Sequence, residues 1–291
     1  MRRWYKTEIT PKRQSFDTTL DQSFVEHQRA MGGYERVGYD SAEQFFQTHL
    51  DASPRHLCYQ KFLSAHLPKD SRILSIASGR AINEMRLVAD GYDILCSDLE
   101  PVWPDETRRL FPGYRFMRWN ALGDPLPAER FDAVTCLGFI YLLDSDGLDR
   151  FIARVSGLLR PGGMFVLDAA GSSPEAFLAN LLHEVYVPCE AWLVCGIKNI
   201  MNLCRQSRSN SLMVVRRKHH GYRYGDREIV AAASAQGLKV EAAEHMDFET
   251  EWTRSRFYNH CVRRVSLARH GFLAMGKAMP YVRMFAFRRA A

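Results

Sequence analysis

The chain has 291 residues, 46% apolar, 12% aromatic and 25% charged, enough for one large domain with a full core or for one domain carrying a lid. This composition excludes a collagen, a coiled coil and wholesale disorder. The net charge of +6 is unevenly placed: Trp252 to Ala291 holds nine Lys/Arg and no acid, whereas the other 251 residues hold 30 basic and 33 acidic side chains. Seven cysteines (Cys58, Cys96, Cys136, Cys189, Cys195, Cys204 and Cys261) form no C-x-x-C pair. Several sit in apolar runs, so reduced thiols in a cytosolic protein are expected, with no metal site. The opening MRRWYKTEITPKRQSF lacks the apolar stretch of a signal peptide, and no apolar run approaches the ~20 residues that span a bilayer.

Residues 1–50 show no sustained period, apart from a short helix near Phe45, Phe46 and Leu50. The spacing of Leu57, Phe62 and Leu63 predicts a helix over 54–67, followed by a Pro68-Lys69-Asp70-Ser71 turn. Strand and helix signals then alternate. Strands are predicted at 72–77 (RILSIA), 92–97, 114–119, 131–137 (FDAVTCL) and 164–169 (MFVLDA). Helices are predicted at 81–90 and 146–160, the second ended by Pro161-Gly162-Gly163. Short apolar strands between helices imply a parallel sheet covered on both faces, with right-handed crossovers giving a doubly wound α/β fold. Ligands of such sheets bind beyond the strand C-termini, near the switch point. After 170 come a helical insertion (172–210), a strand at 211–217, a helix at 225–236, a strand from 238 and a final strand at 281–287. The expected division is an N-terminal lid segment (1–55), a core (56–171), a helical lid insertion (172–218) and a C-terminal part of the core (219–291) with a basic helical insertion.

Four blocks, RILSIASGRAINE (72–84), DILCSDLEP (93–101), Asn120-Ala121 ahead of FDAVTCLGFIYLL (131–143), and LLRPGGMFVLD (158–168), together resemble the class I S-adenosylmethionine-dependent methyltransferases of small-molecule or glycan type. The resemblance implies a Rossmann-like, seven-stranded α/β sheet with helical lids, and S-adenosyl-L-methionine as cofactor. It places Ser75, Ala77, Ser78 and Gly79 at the cofactor's amino-acid portion. Asp98 falls on the ribose hydroxyls, where a carboxylate offers two acceptor oxygens. Leu99 falls against the adenine, Asn120 with Ala121 behind it at the adenine edge, and Leu137 beside the methionine part. The sequence departs from the family at the first block: Ala77 and Ala81 stand where glycine is usual, and Ser75 stands where an acid usually helps hold the ammonium group. Glu84, one helical turn on, is the candidate replacement.

Methyl transfer needs a positioned nucleophile and a route for its proton. Tyr141, just after the fourth strand, and His220, in KHHGYRYGDRE (218–228), are the candidate catalytic residues, with Asp168, His245 and Asp247 as further candidates. Aromatic residues of the lid segments (Trp4, Tyr5, Tyr34, Tyr39, Phe45, Tyr186, Trp192) suit a pocket for a small molecule or glycan. In the basic tail, Phe257, Cys261, Val265, Ala268 and Phe272 read as one apolar helical stripe, with Arg256, His260, Arg263 and Arg264 on another face. An anionic substrate, an anionic membrane surface or a solvated face all fit that pattern. Nucleic acid is disfavoured, since no recognition module is present. Three functions stay open: a methyltransferase acting on a hydroxyl or amine, a scaffold of the same fold without transfer, and a lipid methyltransferase at the inner face of the membrane.

Overall fold

A computed structural model describes residues 1–12, 39–99, 105–204, 212–253 and 255–290. Gly32-Gly33, Tyr34, Glu100-Pro101 and Ser211 lie outside the described residues. Among those described, nine strands form two sheets. The chain opens with β1 (Arg2–Pro11), followed by α1 (Ala42–Phe46) and α2 (Pro54–His66). The α/β alternation then runs β2 (Arg72–Ile76), α3 (Ile82–Ala89), β3 (Asp93–Asp98), α4 (Asp105–Leu110), β4 (Arg115–Arg118), β5 (Phe131–Cys136), α5 (Ser145–Leu158) and β6 (Leu159–Asp168). The insertion contains α6 (Phe177–Leu181), a π-helical turn (Leu182–Tyr186) and α7 (Val187–Cys204). There follow β7 (Met213–Arg223), α8 (Asp226–Ala235), β8 (Leu238–Met246), α9 (Glu249–Trp252), α10 (Ser266–Gly276) and β9 (Val282–Arg289).

The main sheet has seven strands in the order β4-β3-β2-β5-β6-β9-β8; β9 runs antiparallel to both of its neighbours and the ladders among the first five strands are parallel. This is the expected doubly wound sheet. The central strands are apolar almost throughout because both faces are covered. One face packs Phe45, Phe62, Leu63 and Met85, and the other Phe151, Val155 and Ile229. The chain order reverses between β2 and β5, and the site residues gather at their C-terminal ends.

Three expectations change. The helix ahead of β6 ends at Leu158, because Leu159 already pairs with Phe131; a register irregularity there takes the Pro161-Gly162-Gly163 turn into the strand as a bulge. Segment 1–55 divides: Phe45, Phe46 and Leu50 are buried in the main core, while β1 pairs antiparallel with β7 as a two-stranded ribbon. The ribbon is half-buried along most of its length, so it carries no clean period of two for sequence reading to find. The basic tail holds no single helical stripe. A π-helical turn (Tyr258–Val262) shifts the phase by one residue, so Tyr258 and Val262 point inward while Phe257, Cys261 and Val265 are exposed. Val265 is then extended (φ −108°, ψ 109°), and α10 starts afresh. The tail's cations also meet acids of the body: Arg263 and Arg269 pair with Glu249, Arg288 with Glu241, and the buried Arg283 with Asp226.

Candidate active site

The chain leaves β2 through a turn at 77–81. Ala77, Gly79 and Ala81 all adopt left-handed backbone (φ +54°, +52° and +48°), which costs a non-glycine residue roughly 1 kcal/mol. The turn is tied to the end of β3: Ser78 N–H donates to Ser97 O at 3.0 Å and Gly79 N–H to Asp98 Oδ2 at 2.8 Å. Asp98 Oδ1 accepts Leu99 N–H at 2.7 Å. The Asp98 carboxylate is buried, which raises its pKa, and the two backbone donors oppose that rise. Leu99, beside it, is exposed.

Ser75 does not face the cavity below. It is buried, and its hydroxyl donates to Glu84 Oε1 at 2.7 Å. Glu84 reaches this point from α3, so a buried carboxylate stands beside Ser75 although β2 itself carries no acid. Burial raises the Glu84 pKa, and the Ser75 hydroxyl acts against that. A cavity of about 240 Å³ lies here, lined by Ala77, Ser78, Arg80, Glu84, Leu137 and Gly138, and on its other side by Arg55, His56 and Tyr59 of α2. Asn120 and Ala121 lie past the end of β4 and do not line this cavity. Asn120 Oδ1 accepts Leu122 N–H at 3.0 Å and Gly123 N–H at 3.2 Å, a local Asx turn. That engages the acceptor end of the Asn120 amide within its own loop. Ala121 is buried.

Asp168, at the end of β6, joins three elements. Its Oδ1 accepts Gly138 N–H and its Oδ2 accepts Tyr59 O–H, each at 2.5 Å, with Arg55 Nη2 at 3.4 Å. Arg55 Nε donates to Tyr59 Oη at 2.6 Å, and its guanidinium lies 5.1 Å and 5.4 Å from the ring centroids of Tyr59 and Tyr281. Burial pushes the Tyr59 phenol well up, keeping it protonated. His56 is drawn down to about 4 by burial and the neighbouring Arg55, so it is neutral at neutral pH; its Nδ1 meets the Asn83 side chain. Sequence reading saw 54–67 only as a core helix. The i,i+4 pair Arg55–Tyr59 was the available signal, and it gains meaning only when Asp168 arrives from 109 residues away.

Tyr141 and His220 come together, as neighbours rather than as separate loop residues. Their rings stack at 5.4 Å with 24° between planes, and Trp4 of β1 stands edge-on to both, at 4.7 Å from His220 and 6.0 Å from Tyr141. His220 is thereby in a strand, beside Gly221. Gly221 has φ +150°, and a Cβ there would lie 2.3 Å from the Tyr141 carbonyl oxygen, so the residue next to His220 must be glycine for the strand to approach so closely. Beyond this aromatic cluster is a second cavity of about 270 Å³, lined by Trp4, Tyr5, Lys6, His183, Val187 and His220. His183 Nε2 pairs with Glu251 Oε2, and Glu251 Oε1 accepts both Ser172 N–H (3.2 Å) and Ser172 O–H (3.1 Å). Glu251 is 0% exposed and His183 4%. Sequence analysis missed this cluster, since its members lie in three separate segments and share no local pattern. His245 pairs instead with Asp226, and Asp247 holds the Thr250 hydroxyl.

A family model described as a methyltransferase domain matches residues 73–163, the span from β2 into β6. The chain is similar in structure to the 1,6-didemethyltoxoflavin-N1-methyltransferase of Burkholderia thailandensis, with 14% identity, a TM-score of 0.50, and 97% of this chain and 95% of that one covered. It is also similar to geranyl diphosphate C-methyltransferase from Streptomyces coelicolor A3(2), with 13% identity, a TM-score of 0.50, and 90% and 87% covered. Likeness at this identity speaks for the fold. Among curated proteins, none matches the chain in sequence. The chain therefore carries a methyltransferase domain at residues 73–163, set in a seven-stranded α/β sheet of Rossmann-like methyltransferase fold.

Proposed function

We propose that the protein transfers a methyl group from S-adenosyl-L-methionine to a hydroxyl or amine of a small molecule held in the 270 Å³ cavity. The carrying observation is the convergence of the 77–81 turn, Glu84 and Leu137-Gly138 on one cavity, with a second cavity beyond the Trp4–Tyr141–His220 cluster. The donor set of the first cavity fits the cofactor. A buried carboxylate (Glu84) suits its ammonium group and a guanidinium (Arg80) its carboxylate. Asp98, tied to that cavity's turn through Gly79, has lone pairs left beyond its two backbone donors for ribose hydroxyls, and the exposed Leu99 beside it suits the flank of an adenine. When bound, the cofactor supplies an electrophilic methyl group on a sulfonium.

The rest of the chemistry falls to this chain. Asp168 fixes Gly138 and Tyr59, and so holds the loop after β5 against α2. Trp4 and His220, the latter backed by the stacked Tyr141 ring, form a wall that orients a planar acceptor. His183, oriented by Glu251, takes the acceptor's proton, and the carboxylate stabilises the resulting imidazolium. His220 lines the same cavity, but Glu251 makes His183 the better-supported base. Incubation with methyl-labelled cofactor and a small-molecule extract tests this. Label should appear in extractable organic products with the wild type and fall by about 10²-fold or more in His183→Gln. Equal labelling by both proteins would remove His183 from the chemistry.

A second reading, a scaffold of the same fold without transfer, draws on Ala77 and Ala81, which hold left-handed backbone where glycine is usual. It predicts cofactor binding with no labelled product from any extract.

A further inference from the structure

We propose that the outward face of α7 docks the lid onto an anionic lipid bilayer. α7 is apolar on both sides. Its inner face buries Cys195, yet its outer face leaves Trp192, Leu193, Ile200 and Leu203 between 63% and 67% exposed, with Ile197 at 49%. A helix apolar all round is normally covered, and a contiguous exposed apolar face marks an interaction surface.

Charge identifies the cover. From Ala191 to Gly225 the sequence has no acid and seven Lys/Arg, of which Arg223 is buried and Arg217 pairs with Glu184, while Lys198 lies on the exposed face itself. The start of the helix abuts the acid-free tail: Glu190 accepts Arg256 N–H and Phe257 N–H, both at 2.9 Å, which sets the exposed Phe257 beside α7. A second copy seated on this face would bring two acid-free basic stretches together. Anionic headgroups would complement them while Trp192 and the aliphatic side chains enter the acyl boundary. Among the described residues no helix is long and apolar enough to cross a membrane, so α7 would lie in the plane of the interface. Val187, its first residue, lines the 270 Å³ cavity, so an amphiphilic acceptor would meet that cavity from the docked side; this last clause rests on the acceptor-cavity reading, whereas the docking surface does not.

Flotation with vesicles of phosphatidylcholine alone, or of equal parts phosphatidylcholine and phosphatidylglycerol, tests the surface. The protein should float with the anionic vesicles only, and be released at high salt. The triple variant Leu193→Asn, Ile197→Asn, Ile200→Asn should float about tenfold less, and Lys198→Glu should float less than the wild type. All four side chains are exposed, so circular dichroism should show an unchanged fold. No flotation with anionic vesicles overturns the proposal, as does equal flotation by the triple variant. A lipid-free dimer in light scattering that the triple variant abolishes would also overturn it, assigning the face to a second copy. S-adenosylhomocysteine binding, measured on the same variant, keeps a failure of this surface distinct from a failure of the cofactor reading.

Discussion

The two cavities are built by different means. The one assigned to the cofactor is shaped by backbone: three left-handed residues in five, a carboxylate that braces the turn from the next strand, and Glu84 one helical turn on. The one assigned to the acceptor is shaped by side chains from three distant segments, with Trp4, His183 and His220 meeting only in the folded state and Tyr141 stacked behind His220. The backbone-built half is local in sequence and can vary in side chain, as Ala77 and Ala81 show. The side-chain half depends on single partners.

Substitutions should therefore cost most on the acceptor side. Glu251→Ala leaves His183 buried without its carboxylate and strips Ser172 of its acceptor, and should lower the unfolding free energy by about 3–5 kcal/mol in denaturant titration. Glu251→Gln, which keeps the shape and the serine contacts, should lose clearly less. If both variants are as stable as the wild type, the cluster does not hold the lid to the core. Asp168→Asn turns an acceptor that Tyr59 and Arg55 both need into a donor, and should cost roughly 2–3 kcal/mol, while also weakening S-adenosylhomocysteine binding through the released Gly138 loop. Loss of stability with unchanged binding would separate Asp168 from the cofactor cavity.

The pH response sharpens the contrast at His56, which lines the cofactor cavity from α2. Its folded pKa of about 4 is below the ordinary 6.5, so the unfolded chain takes up the proton first as pH falls. The contribution of His56 is fully present above pH 6.5 and is lost as pH falls from 6.5 toward 4. Wild-type stability should drop across that window more steeply than that of His56→Gln. Parallel pH profiles would place His56 in solvent. The smallest effect belongs to the backbone-built turn: Ala77→Gly and Ala81→Gly relieve left-handed alanines, and each should shift stability by no more than about 1 kcal/mol, upward if relief of strain exceeds the added freedom of the unfolded chain. A loss above that would mean that the alanine methyl groups pack usefully.

The same division explains what the sequence disclosed. The RILSIASGRA and FDAVTCL blocks announced strands, turn and switch point, because a strand running into a tight turn is written in consecutive residues. Asp98 was found for the same reason, as a strand-end acid. The Tyr59–Arg55–Asp168 junction and the His183–Glu251–Ser172 cluster were not legible, since each joins residues from different elements with nothing periodic to mark them. The tail misled for a related reason: an unbroken helical period was assumed from 257 to 272, and one π-helical turn moved Tyr258 and Val262 into the positions assigned to Phe257 and Cys261. The basic excess was real, but Glu249, Glu241 and Asp226 each meet part of it.

The central claim is that the 77–84 and 137–138 segments form a working cofactor site despite the two alanines and the missing strand acid. Isothermal calorimetry with S-adenosylhomocysteine tests it most directly. One mole should bind per mole of protein, and Asp98→Ala should weaken binding by about 2–3 kcal/mol through the lost charge-assisted hydrogen bonds. No binding by the folded wild type, or equal affinity in Asp98→Ala, would contradict the account.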